Sequence, residues 1–168
     1  MNVSMSAGDV IISVVISLVA GVITGIITGY GVTIYYRNKD KKRDAGKYTK
    51  ELLDFISGLV KLMTYEGSSV PDYKVSEMTK YLQDMPIRYN WIEFTDGQEK
   101  SKIIEVEKYV DNIRQLTSNC MVNILLTNKD EELKRKIENT KIKIFCEEEP
   151  KGIGYIIALK EILKKYSA

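Results

Sequence analysis

Histidine is absent from all 168 residues. Without an imidazole there is no His-dependent triad, no HExxH zinc site and no di-iron bundle built on ExxH, because each needs that ring at a set position. Cysteine is nearly absent too. Cys120 and Cys146 stand far apart and without metal-ligand spacing, and in a reducing compartment both stay thiols. Cys120 falls on an apolar seam and reads as a core thiol. Cys146 has no basic cluster beside it to activate a thiolate. No internal repeat or long low-complexity run occurs. Lysine outnumbers arginine 20 to 5 and isoleucine is frequent, a composition in keeping with an AT-rich bacterial genome.

Charge is absent from one long stretch. Between Asp9 and Arg37 lie 27 uncharged residues, Val10 to Tyr36. A hydrocarbon core roughly 30 Å thick is crossed by about 20 apolar residues of helix, so this segment is expected to span a membrane. A cleaved secretory signal would carry basic residues ahead of the apolar stretch and small residues at the cleavage site. Residues 1–9 contain no Lys or Arg, and cleavage after Ala20 would put Leu18 at the −3 position; the span is therefore read as retained.

Its flanks give a direction. Residues 37–50 hold Arg37, Lys39, Lys41, Lys42, Arg43, Lys47 and Lys50 against Asp40 and Asp44, and no basic residue precedes the span. Lys/Arg-rich short flanks stay on the cytoplasmic side, which predicts the N-terminus outside and the C-terminal domain in the cytoplasm. Tyr30, Tyr35 and Tyr36 gather at the inner end, where aromatic rings favour the headgroup layer. Arg37, Lys39, Lys41, Lys42 and Arg43 serve as a topology signal and as contacts to anionic lipid headgroups. Beyond residue 50 the balance is slightly acidic, without the basic face of a nucleic-acid-binding domain.

The span is two-sided. At 100° per residue, Ser13, Ser17, Ala20, Gly21, Thr24, Thr28 and Gly31 share about a third of the circumference. Ile11, Val15, Leu18, Val19, Val22 and Ile26 lie opposite, and Gly21, Gly25 and Gly29 form GxxxGxxxG. Small residues let helix backbones approach closely in lipid. Ser13, Ser17, Ala20, Gly21, Thr24, Gly25 and Thr28 are thus a candidate association face for a second copy or another membrane helix. No Asp, Glu, Lys, Arg or His lies in the span to mark an ion pathway.

The remainder reads as helices. Tyr48, Leu52, Phe55, Ile56, Leu59 and Met63 share one face of a helix over 44–65, closed by Gly67-Ser68-Ser69 and Pro71. A short helix from Asp72 to about Asp84 buries Val75, Met78 and Leu82. Pro86 opens an irregular stretch in which a brief strand would have no partner. Over 97–127, Ile103, Val106, Val110, Ile113, Thr117, Cys120 and Ile124 alternate steps of three and four. Asn128 with Glu131 resembles a capping box for a helix running to about Glu147 with Leu133, Ile137 and Ile144 inward. Pro150, Gly152 and Gly154 break the chain before a last helix at about 154–166, which presents Ile156, Ile157, Leu159, Ile162, Leu163 and Tyr166. The expected fold class is all-α: one N-terminal transmembrane helix, then a cytoplasmic antiparallel bundle of four to five helices. The expected organisation is an extracytoplasmic 1–9, a span 10–36, a basic juxtamembrane 37–50 and a helical domain 51–168.

Chemistry is sparse. Asp130-Glu131-Glu132, Glu147-Glu148-Glu149 and the pair Glu105/Glu107 place neighbouring carboxylates on diverging sides of a helix, so each reads as a solvated face and not a metal cage. Residues 149–155 carry glycines ahead of a helix but lack the GxxxxGK[ST] spacing of a phosphate loop. Arg88, Tyr89 and Trp91 are residue types that dominate interface hot spots and form a candidate protein-contact set, although large aromatics usually bury, so that Trp91 and Phe94 are expected to plug the end of the bundle. No catalytic residue, cofactor or metal ligand is assigned. The expected function is a single-pass membrane-anchored, non-enzymatic protein that acts as a protein-interaction or assembly module at the cytoplasmic membrane face. Its expected partners are membrane lipids, a second copy or another membrane helix, and a cytoplasmic protein, with no nucleic acid. Two alternatives are a membrane-active effector (an oligomeric pore or bilayer-perturbing protein) and a membrane-bound enzyme working without His.

Overall fold

A computed structural model describes residues 7–65, 67, 69–126 and 130–167. The protein is all-α, with no strand among the described residues. Five helices follow in order: α1 (Ala7–Met63), α2 (Asp72–Tyr81), α3 (Gly97–Leu126), α4 (Glu131–Ile142) and α5 (Glu149–Ser167). A 3-10 turn, Leu82–Asp84, ends α2, and a π turn, Lys143–Glu147, joins α4 to α5. The chain forms two compact units, Met1–Asp40 and Lys41–Ala168.

In the first unit, residues 11–40 are all exposed. α1 includes a stretch long and apolar enough to cross a membrane, and none of its most apolar window is buried within the protein. Such a surface satisfies every backbone group inside the helix while presenting only apolar or hydroxyl side chains, which is what a lipid surrounding requires.

The second unit has a single core. The 3.6-residue periodicity of α1 beyond residue 44 puts Ala45, Tyr48, Leu52, Phe55, Ile56, Leu59 and Met63 in the interior. Val75, Met78 and Leu82 join them from α2 and its 3-10 turn, and Ile103, Val106, Val110, Ile113, Thr117 and Cys120 from α3. Each fully buried aliphatic side chain contributes about 1.5–3 kcal/mol of transfer free energy. α3 packs against α2, α4 and α5. Neighbours run antiparallel. Phe55 of α1 stacks on Tyr81 of α2, while Leu62 shares a cleft with Tyr73. Along α1 and α5, Gly46 abuts Tyr166 and Val60 abuts Gly152.

Helix ends have local causes. Asp96 caps α3, its Oδ1 accepting from the Gln98 N–H at 2.7 Å. The α4 cap is Asp130, which accepts from the Glu132 N–H at 2.9 Å; the expected cap at Asn128 lies outside the described residues. The last turn of the α4 segment widens, with the Glu148 N–H bonding five residues back to the Lys143 carbonyl at 3.1 Å.

Two expectations for the C-terminal helix need correction. Pro150 and Gly152 do not break the chain: α5 begins at Glu149, because proline in a first helical turn forfeits no helical hydrogen bond. Ile157 is 59% exposed, since it lies about 100° around the helix from Ile156, away from the side that buries Gly152, Leu159 and Ile162. Gly152 is there for space. A Cβ on it would sit 2.5 Å from Val60 Cγ2 and 2.9 Å from Tyr109 Oη, whereas one on Gly154 meets nothing within 4 Å. Gly152→Ala is therefore expected to lower stability by about 1–2 kcal/mol, overpacking outweighing the gain in helix propensity. Gly154→Ala should raise it by about 0.5–1 kcal/mol. Urea unfolding midpoints of the detergent-solubilised full chain measure both, and equal shifts would contradict the packing described.

Candidate interaction surface

The small-residue stripe lies wholly on the exposed surface of α1. Three of its hydroxyls are engaged within the helix. Ser17 Oγ donates to the Ser13 carbonyl, Thr24 Oγ1 to Ala20 and Thr28 Oγ1 to Thr24, each at 2.8 Å. A hydroxyl bonded this way costs little in an apolar medium. A Cβ on Gly21, Gly25 or Gly29 would meet no atom within 4 Å, so no contact inside this chain requires glycine at these positions. Of the basic residues, Arg37, Lys39, Lys42 and Arg43 are exposed. Arg43 reaches Asp44 at 3.4 Å, and Lys41 pairs with Glu93 of the loop before α3.

That loop, residues 85–96, has neither helix nor strand and is held at several points. Arg114 of α3 donates to the Leu82 carbonyl at 3.1 Å where the loop begins. Arg88 Nε donates to Glu107 Oε1 at 3.0 Å, and the same oxygen accepts from Tyr48 Oη of α1 at 2.7 Å. A turn closes with the Ile92 N–H on the Tyr89 carbonyl at 3.0 Å, and Thr95 Oγ1 donates to Glu99 at 3.2 Å. Arg88, Ile92 and Phe94 take the inward places, while Ile87, Tyr89 and Trp91 stand outward at 80%, 59% and 64% exposure. Tyr89 and Trp91 stack, centroids 5.5 Å apart and planes 16° from parallel. With Ile87, Ile92, Tyr48, Asp44, Lys47 and Glu51 they line a groove of about 300 Å³.

The expectation that Trp91 plugs the bundle is thus overturned; Ile92, buried, and Phe94, partly buried, do so instead. Of the candidate contact set, Tyr89 and Trp91 come together on one surface. Arg88 turns inward and anchors the loop.

Two carboxylates also depart from expectation. Glu107 is not solvated: its pairing with Arg88 leaves its side chain 19% exposed. Glu148 is buried, held by Lys151 at 2.8 Å, and its carbonyl accepts from Tyr109 Oη at 2.8 Å. Glu99, unremarked in the sequence, is buried and engaged by Tyr166 Oη and by Lys165 at 3.1 Å. Lys141, likewise unremarked, is buried between Asp72 at 2.7 Å and Glu138 at 3.0 Å. Each partner comes from a remote or charge-matched position that periodicity does not announce. These groups tie helices together and do not converge on a common point. Among the described residues no group of three or more Cys, Asp or Glu side chains could hold a metal ion.

Burial pushes the Tyr48 hydroxyl well above the ordinary tyrosine range, and the hydrogen bond to Glu107 adds to the shift. Burial does the same to Tyr109, reinforced by the charge of Glu148. Burial likewise raises the Cys120 thiol, which keeps it protonated and unreactive. For the tyrosines the folded state retains a proton that the unfolded chain gives up near pH 10. Above that pH the unfolded state binds fewer protons, so stability is fully present below about pH 10 and falls as pH rises past it. Each of the two tyrosines can remove up to about 1.4 kcal/mol per pH unit. Urea midpoints between about pH 8 and pH 11 should drop, and Tyr48→Phe should drop less steeply from a lower starting value. A parallel decline in both proteins would show that Tyr48 is not protected.

No family model, curated protein or solved structure matches this chain.

Proposed function

We propose that this chain is a single-pass membrane protein, N-terminus outside, whose helical unit works as an assembly or protein-interaction module at the cytoplasmic membrane face. The observation that carries this reading is the fully exposed apolar part of α1, one side of which is lined by hydroxyls and by glycines that no contact within the chain requires. In lipid, such a side gains dispersion contacts from a second helix that acyl chains do not match. The hydroxyl protons of Ser17, Thr24 and Thr28 are already used within the helix, so association would rest on close backbone approach and not on these donors. The basic residues from Arg37 to Arg43 favour retention on the cytoplasmic side. Tethering in turn raises the effective concentration of a weak binder at the membrane surface.

Crosslinking of full-length protein in cells tests assembly. Gly21→Leu and Gly25→Leu, sterically open in the isolated chain, should each weaken the crosslinked species several-fold; unchanged species in both variants would sink the packing face. Orientation has its own reporter. Cys146 is exposed and Cys120 buried, so a membrane-impermeant maleimide should label Cys146 only after the cells are permeabilised. Labelling of intact cells would reverse the topology.

A further inference from the structure

The outward residues of the 85–96 loop have a composition that suits the boundary of a bilayer. Trp and Tyr favour the headgroup layer because an apolar ring and a polar edge are both accommodated there, and Ile87 adds a wholly apolar group at 80% exposure. The neighbouring side chains supply charge of the matching sign. Lys42 and Arg43 are exposed nearby in the chain, where residues 37–50 hold seven basic side chains against two acidic ones; Lys47 lines the same groove together with Asp44 and Glu51 and reaches Glu51 at 4.0 Å. Anionic lipid attracts such groups within a Debye length of the surface.

Reach is set by covalent connection. Lys41 follows Tyr36, the last residue of the uncharged run, by five residues, and five residues cover no more than about 18 Å even when fully extended. Lys41 is paired with Glu93, two residues from Trp91. The loop is therefore bound to the part of α1 that leaves the span. Among the described residues, other exposed apolar side chains of this unit stand at the end of α3 (Val122, Leu125 and Leu126), at the end of α4 (Ile142) and on α5 (Ile153 and Ile157), far along the chain from the span.

Resting on the membrane-anchored reading above, we propose that Ile87, Tyr89 and Trp91 form a second membrane contact, bedding into the anionic interface of the same bilayer that α1 crosses. The stacked Tyr89–Trp91 pair enters the headgroup layer while Lys42 and Lys47 face lipid phosphates. The helical unit would then meet the bilayer through this loop as well as through its covalent tether.

Trp91 is the only tryptophan, so the intrinsic fluorescence of the intact protein reports this site alone. Full-length protein is reconstituted into phosphatidylcholine/phosphatidylglycerol vesicles, with and without brominated acyl chains, and collected by flotation. The expected result is protein that floats, with Trp91 emission shifted to shorter wavelength, lost on bromination and shielded from acrylamide. Lys42→Glu/Lys47→Glu should restore much of the emission in brominated vesicles. Protein that floats but keeps Trp91 open to acrylamide and insensitive to bromine overturns the loop contact and leaves the span standing. A blue shift without bromine quenching means that protein covers Trp91, which also overturns it. Failure to float removes the anchored reading and this contact with it.

Discussion

Burial of the α3 seam is the interaction on which the second unit depends. Ile103, Val106, Val110, Ile113 and Cys120 are wholly removed from solvent, and α2, α4 and α5 all pack on the helix that carries them. None of the short helices could hold together alone. α2 has ten residues and α4 twelve, lengths at which isolated helices are marginal in water. Their stability comes from covering α3, and the polar ties are arranged around that fact. Lys141 joins α4 to Asp72 at the start of α2, and Glu99 and Glu105 on α3 receive Tyr166 and Tyr155 from α5.

What could be seen in advance follows from this arrangement. The seam residues were legible because a helix buried along one face repeats its apolar positions every three or four residues. The ends of α2 and the start of α3 were legible because Pro71 and Pro86 flank the one and Gly97 opens the other. Side-chain partnerships were not. Glu107 belongs to a run of alternating charges that reads as solvated until Arg88 and Tyr48, 19 and 59 residues away, are brought to it. Pro150 and Gly152 looked like breakers because each disfavours a helix interior. At a helix start, with Val60 pressed against the glycine, the same two residues are the suitable ones. The contact surface was half legible: residue types singled out the region around Trp91 and placed Phe94 inward, but type alone could not say that Ile92 would take the buried place and leave the tryptophan outside.

The two units share one way of satisfying hydroxyls, and the second adds another. In the first, serine and threonine hydroxyls turn back onto carbonyls of their own helix, so that the helix is self-sufficient in a medium without water. In the second, Thr49, Thr79 and Thr117 do the same, while the hydroxyls of Tyr48, Tyr109 and Tyr166 reach across to other elements. There the same need for partners becomes a source of specificity, since a misplaced helix would strand a polar group in the core.

The π turn at Lys143–Glu147 carries a consequence of a different order. A wide turn holds one residue more than an α turn would, and each residue of helix advances the direction of the next side chain by about 100°. The segment thus sets the phase between α4 and everything after it. Closing the turn to α geometry with every residue kept would leave the composition unchanged and helix content almost untouched. It would nevertheless rotate Glu148 and the whole of α5 out of step with α1 and α3, so that the reading frame of the packing, rather than any one contact, is what this short widening preserves.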